Sequence, residues 1–450
     1  MTSAAFDVAI VGGGASGTLL AVQLLRRAER PVRLLLIDRS GDFGGGIAYR
    51  TEEPLHLLNV PAARMSALPD EEGHFLDWLR AQEPAAGPDA YARRSLYGKY
   101  LRELAGRAER DAAPGVELES RRAEVQEVRE SGAGLRLMLD RGEEVEAGRA
   151  VLALGNFPPP PLPASPRAAL RVWQHPWATE ARWPGPEEMV LLVGAGLTAV
   201  DVVLSLTARG HQGPLHLLSR HGLLPLPHLA ATTPPLELED LPEGRVRPLF
   251  RAVRDAAARS PGDWRAAVDG LRPHSHRLWG SLEEAERRRF ARHVRTLWEV
   301  HRHRIAPEVA DRIQALLHSG QLRQHAGRLL GLEAQGDRVA ARFRPRGASG
   351  EKTLQADLVV NCTGPAGHAA QPDALVGALL AGGLARAGPL GLGLATDDEG
   401  RLLDAGGRAS RRLWALGVVR RGELWESVAV PDIRLQAGEL AERLLAATAV

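Results

Sequence analysis

The chain has 450 residues and a mass of 48.5 kDa; 44% of its residues are apolar and 25% are charged. A chain of this size and composition can bury two or three hydrophobic cores, which excludes a single small domain, wholesale disorder and a collagen-like fibre. The 57 basic residues nearly balance the 55 acidic ones, and a net charge of +2 argues against a nucleic-acid-binding protein.

The basic residues are almost all arginines, since Lys99 and Lys352 are the only lysines. Because this bias runs through the whole chain, one arginine by itself is weak evidence for an anion site. A single cysteine, Cys362, cannot close an intrachain disulfide, so we expect a cytoplasmic protein. The sequence has neither the basic start of a signal peptide nor an apolar stretch long enough to span a membrane, so we expect no membrane association.

The first forty residues have the pattern of a strand, a tight turn, a helix and a second strand. The apolar run Phe6 to Val11 is followed by GGGASG, by leucines at helical spacing and by the apolar run 33–37. The glycines allow a sharp turn and a close approach of pyrophosphate, and an acid after the second strand accepts from ribose hydroxyls. The residues assigned to this dinucleotide site are Gly12, Gly14, Ser16, Gly17 and Asp38. The alternative is a glycine-rich turn with a purely structural role.

The segment 115–155 has the pattern of several short strands and ends in an apolar run closed by Gly155. FPPPPLP follows at 157–163, and its prolines favour neither a helix nor a central strand. We therefore predict that the chain crosses between domains here.

A second unit of strand, turn and helix begins at Met189 and repeats the dinucleotide motif with Gly194, Gly196 and Ala199. The short apolar strand Leu215 to Ser219 follows it and is closed by Arg220 instead of an acid. Because a guanidinium suits a 2′-phosphate, this position favours NADPH over NADH. The alternative is that Arg220 is a solvent-exposed cation.

The remaining chain predicts a helical insertion and a return to the first domain. Residues from about 236 to 320 are helical and arginine-rich with interleaved tryptophans, and short strands resume from 322. The run 413–419 is one more strand, and 430–445 is a closing helix. We predict an α/β protein with two Rossmann-like dinucleotide-binding domains plus a helical insertion. The predicted limits are 1–157 and 351–450 for the first domain and 158–350 for the inserted second domain.

Two dinucleotide motifs joined by a proline-rich crossing resemble the two-dinucleotide-binding-domain flavoproteins. The resemblance implies FAD in the first domain and NAD(P)H in the inserted one. It also places Gly155, Thr363 and Gly364 at chain crossings near the cofactors, and Gly417 where the closing strand approaches the flavin. A disulfide reductase of this layout needs a pair of cysteines, which a chain with one cysteine excludes.

Four further motifs narrow the resemblance. They are GIAY with LLNVPA and MSA at 46–67, RRSLYGKYL at 93–101, WEVHRHRIAP at 298–307 and GELWESVAVPDIR at 422–434. Together they resemble a subgroup of bacterial flavin monooxygenase-like proteins that includes aspartate N-oxygenases forming nitrosuccinate. By position, the resemblance implies that Asn59, Met65, Ser66 and Arg94 line the FAD.

This resemblance implies an FAD-dependent, NADPH-consuming monooxygenase. Oxygen then passes from a C4a-hydroperoxyflavin to the nitrogen of a small polar amine or amino acid. Fixed cations are needed to hold a substrate carboxylate, and the candidates are Arg64, Arg272, Arg302 and Arg304. His301 and His303 are candidate proton acceptors. The alternative for 271–312 is a packed aromatic face with solvated charges, and its histidine spacing predicts no metal site.

Two other functions stay open at this point. The first is an NAD(P)H:acceptor oxidoreductase or oxidase that does not oxygenate a substrate. The second is a flavin-bound sensor or partner-binding protein without turnover. For the favoured function we expect a small-molecule substrate and dioxygen as partners, with no nucleic acid; the oligomeric state does not follow from the sequence.

Overall fold

The computed structural model describes residues 5–132, 134–177, 183–229, 234–259, 263–365, 367 and 373–447. The strands are β1 (Phe6–Val11), β2 (Val32–Asp38), β3 (Val116–Arg122), β4 (Val125–Ser131), β5 (Gly134–Leu139), β6 (Glu144–Leu152), β7 (Val172–Trp173), β8 (Val190–Val193), β9 (Leu215–Ser219), β10 (Leu322–Gln335), β11 (Arg338–Pro345), β12 (Lys352–Ala356), β13 (Leu358–Asn361), β14 (Arg401–Leu403) and β15 (Ala409–Ala415). The helices are α1 (Ala15–Arg27), α2 (Gly46–Tyr49), α3 (His74–Gln82), α4 (Arg94–Arg110), α5 (Pro166–Ala169), α6 (Leu197–Ala208), α7 (Val246–Arg259), α8 (Trp264–Gly270), α9 (Ser275–Ser281), α10 (Glu284–His293), α11 (Arg295–Arg302), α12 (Pro307–His318), α13 (Ala374–Ala381) and α14 (Val430–Ala447).

The first sheet takes its strands from both ends of the chain. Its order is β14-β15-β6-β1-β2-β3, and β4 and β5 extend from β6 as an antiparallel meander. β1 pairs in parallel with β2 and β6, and β15 pairs in parallel with β6. The chain therefore leaves this sheet after β6 and returns to it with β14, as an inserted second domain requires.

The second sheet is built entirely from the intervening segment, in the order β12-β11-β10-β9-β8-β13-β7. β8 pairs in parallel with β9 and β13, while β11 and β12 form an antiparallel extension. β10 joins the two parts, because its first five residues pair in parallel with β9 and the rest pair with β11. The predicted α/β class with two parallel Rossmann-like sheets is confirmed.

Each sheet is covered on both faces, which is why its central strands are apolar throughout. In β1, Val8 and Ile10 pack with α1, α4 and α14, while Ala9 and Val11 face the meander and α13. In β8, Val190 and Leu192 pack with α6 and α12, and the alternate residues face β11. The glycine turns follow these central strands at the open edge of each sheet.

The helical segment packs onto the chain that precedes α14. Trp279 and Phe290 surround Trp425, with ring centroids 4.7 and 5.1 Å from it. Trp279 Nε1 donates to the Gly422 carbonyl oxygen at 2.8 Å. Trp279 is buried between this segment and the first domain. For this residue the alternative of a packed aromatic face therefore applies.

Two elements end at residues other than those expected. β12 and β13 lie beyond residue 350 but belong to the second sheet, so the chain returns to the first sheet only after Asn361. The predicted domain limits themselves stay predictions. The strand expected over 413–419 ends at Ala415, because Gly417 has a φ of +70° and begins a 3-10 turn over Gly417–Arg420. In the described parts of the chain, no helix combines the length and apolarity that crossing a membrane requires.

Candidate dinucleotide and substrate sites

The first glycine turn lies at the carboxyl end of β1, facing α1. Gly12 has a φ of +109°, and a Cβ there would lie 2.3 Å from the Ala153 carbonyl oxygen. A Cβ on Gly17 would lie 1.8 Å from the Gly12 carbonyl oxygen. The protein's own backbone therefore requires both glycines, at a sharp turn and at a close contact of helix and strand.

Gly14 has a different environment, because a Cβ there would meet only the Gly46 Cα, at 3.6 Å. It is the N-cap of α1, and among the described residues no side chain caps this helix. The N–H groups of the first helical turn have no acceptor within the helix. The turn thus offers both space and hydrogen-bond donors to a pyrophosphate group.

Asp38 lies at the end of β2, beside this turn. Its Oδ2 accepts from the Gly13 backbone N–H at 2.8 Å, and its Oδ1 accepts from the backbone N–H and hydroxyl of Ser40. These bonds hold the carboxylate at the crevice at the carboxyl ends of β1 and β2, where open α/β sheets bind their ligands. Its role at a ribose stays a prediction.

The second turn repeats the first in the other sheet. Gly194 has a φ of +117°, and a Cβ there would lie 2.0 Å from the Cys362 carbonyl oxygen. Gly196 is the N-cap of α6, and a Cβ on it would meet nothing within 4 Å. Ala199 is fully buried where the helix packs on its sheet. The two turns therefore share a construction in which one glycine is needed for folding and the next faces open space.

Arg220 follows β9 directly and is exposed, and among the described residues no carboxylate pairs with it. A second arginine, Arg346, approaches from the turn after β11. Its backbone N–H donates to the Ala326 carbonyl oxygen, and Ala326 lies opposite Ser219 in the parallel ladder. Burial, Arg346 and Arg220, in that order, lower the pKa of His221. This end of the second sheet therefore carries a small cationic patch formed by Arg220 and Arg346. The sequence indicated only Arg220.

The residues at the chain crossings lie beside open space. Gly155 and Gly364 have φ values of +65° and +87°, and a Cβ on either would meet nothing within 4 Å. The Thr363 hydroxyl donates to Asn361 Oδ1 at 2.7 Å. Gly417 touches the start of α1, because a Cβ on it would lie 2.8 Å from Ser16 Oγ. These positions are compatible with a bound dinucleotide, and their contacts with FAD stay predictions.

The sequence of residues 9–157 matches the family model described as FAD-NAD(P)-binding. The matched segment holds the first glycine turn, Asp38 and the chain as far as the proline-rich crossing. Residues 9–157 are thus similar to the FAD-NAD(P)-binding family, and this segment is called the FAD-NAD(P)-binding domain below. The match confirms, for this part of the chain, the predicted binding of FAD and NAD(P) cofactors. That prediction came from the two glycine turns and the family resemblance.

One curated relative extends the comparison beyond the FAD-NAD(P)-binding domain. It is the L-aspartate N-monooxygenase (nitrosuccinate-forming) of Streptomyces davaonensis, 26% identical over 257 residues. The match covers 46% of this chain and 39% of the relative, so the chain spans about two fifths of the length of the curated relative it matches. This match confirms the resemblance to aspartate N-oxygenases that the sequence motifs indicated.

Solved structures resemble the chain over nearly its whole length. The ornithine N-hydroxylase of Kutzneria sp. 744 has a TM-score of 0.67 at 17% identity, covering 98% of this chain and 99% of its own. The L-lysine 6-monooxygenase of Pseudomonas syringae has a TM-score of 0.63 at 17% identity with the same coverage. The bacillithiol disulfide reductase Bdr of Staphylococcus aureus has a TM-score of 0.57 at 14% identity, covering 98% of each chain. At these identities the likeness shows the fold alone.

The four FAD contacts implied by resemblance have other partners within the protein. The Ser66 hydroxyl donates to the Glu71 carbonyl oxygen at 2.6 Å, and Met65 is buried in the core of the FAD-NAD(P)-binding domain. The Asn59 carbonyl oxygen accepts from His228 Nε2 at 3.0 Å. Arg94 pairs with Asp201 of α6, a residue that the sequence did not single out. Their role at the flavin stays a prediction.

Three of the four candidate substrate arginines are ion-paired in the structure. Arg272 lies 3.2 Å from Asp432, Arg302 lies 3.1 Å from Glu426, and Arg304 pairs with Asp269. Arg64 is exposed, and among the described residues it has no acidic partner. Of the four candidates, Arg64 is therefore the one whose charge is not compensated by an acid among the described residues.

Arg302 belongs to a charge cluster between α11 and the chain before α14. The cluster consists of Glu299, Arg302, His303, Arg421 and Glu426. Glu299 lies 3.0 Å from Arg421 and 3.2 Å from His303. Burial alone would raise the pKa of Glu426, but Arg302, His303 and the Trp298 indole N–H together hold that pKa below its usual value. The sequence singled out Arg302 and His303 here and missed Arg421 and the two acids, although Glu299 and Glu426 lie in the motifs WEVHR and LWES.

The two candidate proton acceptors differ in their surroundings. His301 is partly exposed, and its ring meets Trp264 edge to face at a centroid distance of 4.6 Å. Burial lowers the pKa of His303, and Glu299 opposes that effect. Burial thus favours the neutral form of His303, which is the form that can take up a proton.

Proposed function

We propose that the chain is an FAD-dependent, NADPH-consuming monooxygenase that oxygenates the nitrogen of a small polar amine or amino acid. The single observation that carries this proposal is the paired construction of the two glycine turns. Each turn opens a helix that no side chain caps among the described residues, and each has open space at its second glycine. Two such sites in one chain fit a flavin and its nicotinamide reductant.

The residues present fit both cofactors. FAD, when bound, supplies the chemistry that accepts hydride from NADPH and activates dioxygen. In the first domain, Gly14 gives the pyrophosphate room and Asp38 presents a carboxylate at the ribose position. In the second domain, Gly196 gives room, while Arg220 and Arg346 present positive charge to a 2′-phosphate.

The relative and the fold neighbours support nitrogen as the oxygenated atom. The curated relative acts on L-aspartate, and the solved neighbours include enzymes named for ornithine and lysine. All three names denote amino acids. Disulfide chemistry, which the bacillithiol disulfide reductase carries out on the same fold, has no place here because Cys362 is the single cysteine.

A substrate carboxylate is best held by Arg64. Among the four arginines, it alone has no acidic partner in the described chain, so binding an anion there breaks no existing ion pair. Arg64 lies close enough to Tyr91 to influence the pKa of its phenol, which burial raises to about 12. Tyr91 in turn contacts His228 of the second domain, with ring centroids 5.2 Å apart. Arg64 therefore lies near the contact between the two domains.

The experiment is oxygenation with isotope-labelled dioxygen. Purified protein with FAD and NADPH is supplied with L-aspartate, L-ornithine, L-lysine or cadaverine, and the products are analysed by mass spectrometry. The proposal expects one of these amines, or a related small amine, to gain labelled oxygen on nitrogen. If NADPH is oxidised but hydrogen peroxide is the only oxygen product with every amine, the protein is an oxidase or an acceptor reductase instead.

A further inference from the structure

A buried ion pair connects the two dinucleotide-binding folds. Arg94, the first residue of α4, places Nη1 at 2.6 Å from Asp201 Oδ2 and Nη2 at 3.2 Å from Asp201 Oδ1. Arg94 Nε also donates to the Leu57 carbonyl oxygen at 2.9 Å. The two side chains are only 17% and 8% exposed. A bidentate pair in this setting fixes orientation as well as distance.

His56 makes a second polar contact with the same helix. Its Nε2 lies 3.0 Å from the Asp201 carbonyl oxygen and 3.0 Å from Ser205 Oγ, and its ring is 2% exposed. Because a carbonyl oxygen only accepts, Nε2 carries the proton, and Nδ1 accepts from Thr51 Oγ1 at 2.7 Å. His56 is therefore held from the first domain while it binds α6 of the second.

The contacted helix is the one that presents the second glycine turn. Asp201 and Ser205 are four residues apart, so they lie on one face of α6. Asp201 lies little more than one helical turn from Gly196, the N-cap residue. Apolar residues of the first domain, Leu55 and Leu57, also pack against the core beneath α6. Apolar contact holds the surfaces together, while the directional bonds of Arg94 and His56 fix how they are aligned.

We propose that Arg94, His56 and Asp201 form a latch that sets the position of the second dinucleotide turn relative to the first. On the proposed function, this latch fixes the distance across which hydride passes from NADPH to FAD. The three are positioning residues, since they act through α6 and not on the cofactors. The latch also gives Arg94 a task other than the FAD contact that the resemblance implies.

The test compares Asp201→Asn with Arg94→Lys and with a control. The control is Arg129→Gln, which breaks an exposed pair with Glu127 on the meander of the first domain. Three quantities are measured: FAD content, the dissociation constant for NADP⁺, and the rate of flavin reduction by NADPH in anaerobic stopped flow. We expect Asp201→Asn to slow reduction by roughly 10- to 100-fold, as a misplacement of about 1 Å does. FAD content and NADP⁺ affinity stay near those of the control.

A charge swap tests whether the pair itself matters. The double variant Arg94→Asp with Asp201→Arg restores much of the lost reduction rate if the latch works through this contact. Two results overturn the proposal. One is an unchanged reduction rate in Asp201→Asn; the other is loss of FAD in Arg94→Lys while Asp201→Asn reduces normally, which assigns Arg94 to the flavin.

A milder variant keeps the test decisive if Asp201→Asn fails to fold. His56→Phe keeps a ring but removes the hydrogen bonds of Nε2 to the Asp201 carbonyl oxygen and Ser205 Oγ. We expect slower reduction together with faster hydrogen exchange of the amides in α6. Unchanged exchange and an unchanged rate overturn the latch. Because reduction is measured without an amine, wild-type protein that reduces its flavin but oxygenates nothing refutes the proposed function and leaves the latch standing.

Discussion

Arg302 lies 3.1 Å from Glu426, and both side chains are almost fully enclosed, with 10% and 2% of their surface exposed. Trp298 Nε1 donates to the other Glu426 oxygen at 3.0 Å. A buried pair of this kind couples the helical segment to the chain that leads into α14. It also means that the charge of Arg302 is already compensated within the protein.

Removing one partner of this pair is expected to destabilise the fold. Arg302→Met leaves Glu426 buried without its cation, which costs about 3 to 5 kcal/mol of unfolding free energy. The double variant Arg302→Met with Glu426→Leu removes both charges and recovers most of that loss. Chemical denaturation of the single and double variants measures the difference. A single variant as stable as wild type would show that Arg302 is free to serve a substrate.

Arg64→Ala is expected to act on substrate binding and not on the fold. Because Arg64 is exposed and has no acidic partner among the described residues, its loss leaves no buried charge behind. The KM for a substrate carboxylate rises by roughly 10- to 100-fold, the loss of a charge-assisted contact. Flavin reduction by NADPH and unfolding free energy stay unchanged, as in the control Arg110→Ala on α4. An unaltered KM would remove Arg64 from the substrate site.

Gly14→Val is expected to yield a folded protein without flavin. The added side chain meets little protein, since the nearest atom to a Cβ is 3.6 Å away, but it fills the space that a pyrophosphate needs. The matched control is Gly87→Val, outside both glycine-rich motifs, where a Cβ meets nothing within 4 Å. Far-ultraviolet circular dichroism checks the fold and visible absorbance checks the flavin. A yellow Gly14→Val protein would refute this assignment of the FAD site.

Arg220→Ala is expected to weaken NADPH binding much more than NADH binding. The loss of one phosphate contact is worth roughly 1.5 to 3 kcal/mol, or about a tenfold to hundredfold change in affinity. Arg346→Ala has the same selectivity with a smaller effect, because that arginine approaches from the neighbouring turn. Arg344→Ala, which loses only an exposed pair with Glu351, is the control. Calorimetric titration with NADP⁺ and NAD⁺ decides, and equal losses for both would exclude a 2′-phosphate contact.

Stability is expected to fall in mild acid, partly because of His228. Burial and then Arg304 lower the pKa of His228 from 6.5 to about 4, although its bond to Asn59 opposes the shift. As the pH falls, His228 takes up its proton in the unfolded chain before it does so in the folded protein. The stability that neutral His228 contributes is therefore complete above pH 6.5 and is lost as the pH falls toward 4. The full shift corresponds to at most about 3 kcal/mol.

Denaturation of His228→Gln near neutral pH and at about pH 5 isolates this contribution. The variant loses less stability on acidification than wild type does, because glutamine keeps a donor for the Asn59 carbonyl oxygen and does not titrate. Equal losses in both proteins would show that His228 is not held neutral by the fold.

The local motifs were predictable from the sequence and the long-range pairs were not. The glycine spacing of each turn lies within one strand-turn-helix unit, so spacing alone reveals it. The distant contacts that require Gly12 and Gly194, with the Ala153 and Cys362 carbonyl oxygens, come only from the fold. The Arg94 to Asp201 pair joins residues 107 positions apart in two domains, and no local pattern links them. The composition made the Arg94 to Asp201 pair harder to predict, because in an arginine-rich chain no single arginine stands out as functional.

The same reason explains the substrate arginines. Arg302 and Arg304 stood out in the HRHR run, but only the fold shows that Glu426 and Asp269 face them. Arg64 differs from the other three candidates in having no acidic partner among the described residues, a difference that only the fold shows. Ser66 was assigned to the flavin by position alone, whereas its hydroxyl closes a turn onto the carbonyl of Glu71.

Anaerobic addition of NADPH to the purified protein, supplied with FAD and followed by visible absorbance, tests the central claim most directly. If both glycine turns seat their dinucleotides with the nicotinamide within reach of the flavin, the yellow colour bleaches at a rate that saturates with NADPH. Protein that retains no flavin after incubation with FAD and removal of the unbound excess, or whose bound flavin stays oxidised under saturating NADPH, would contradict the account.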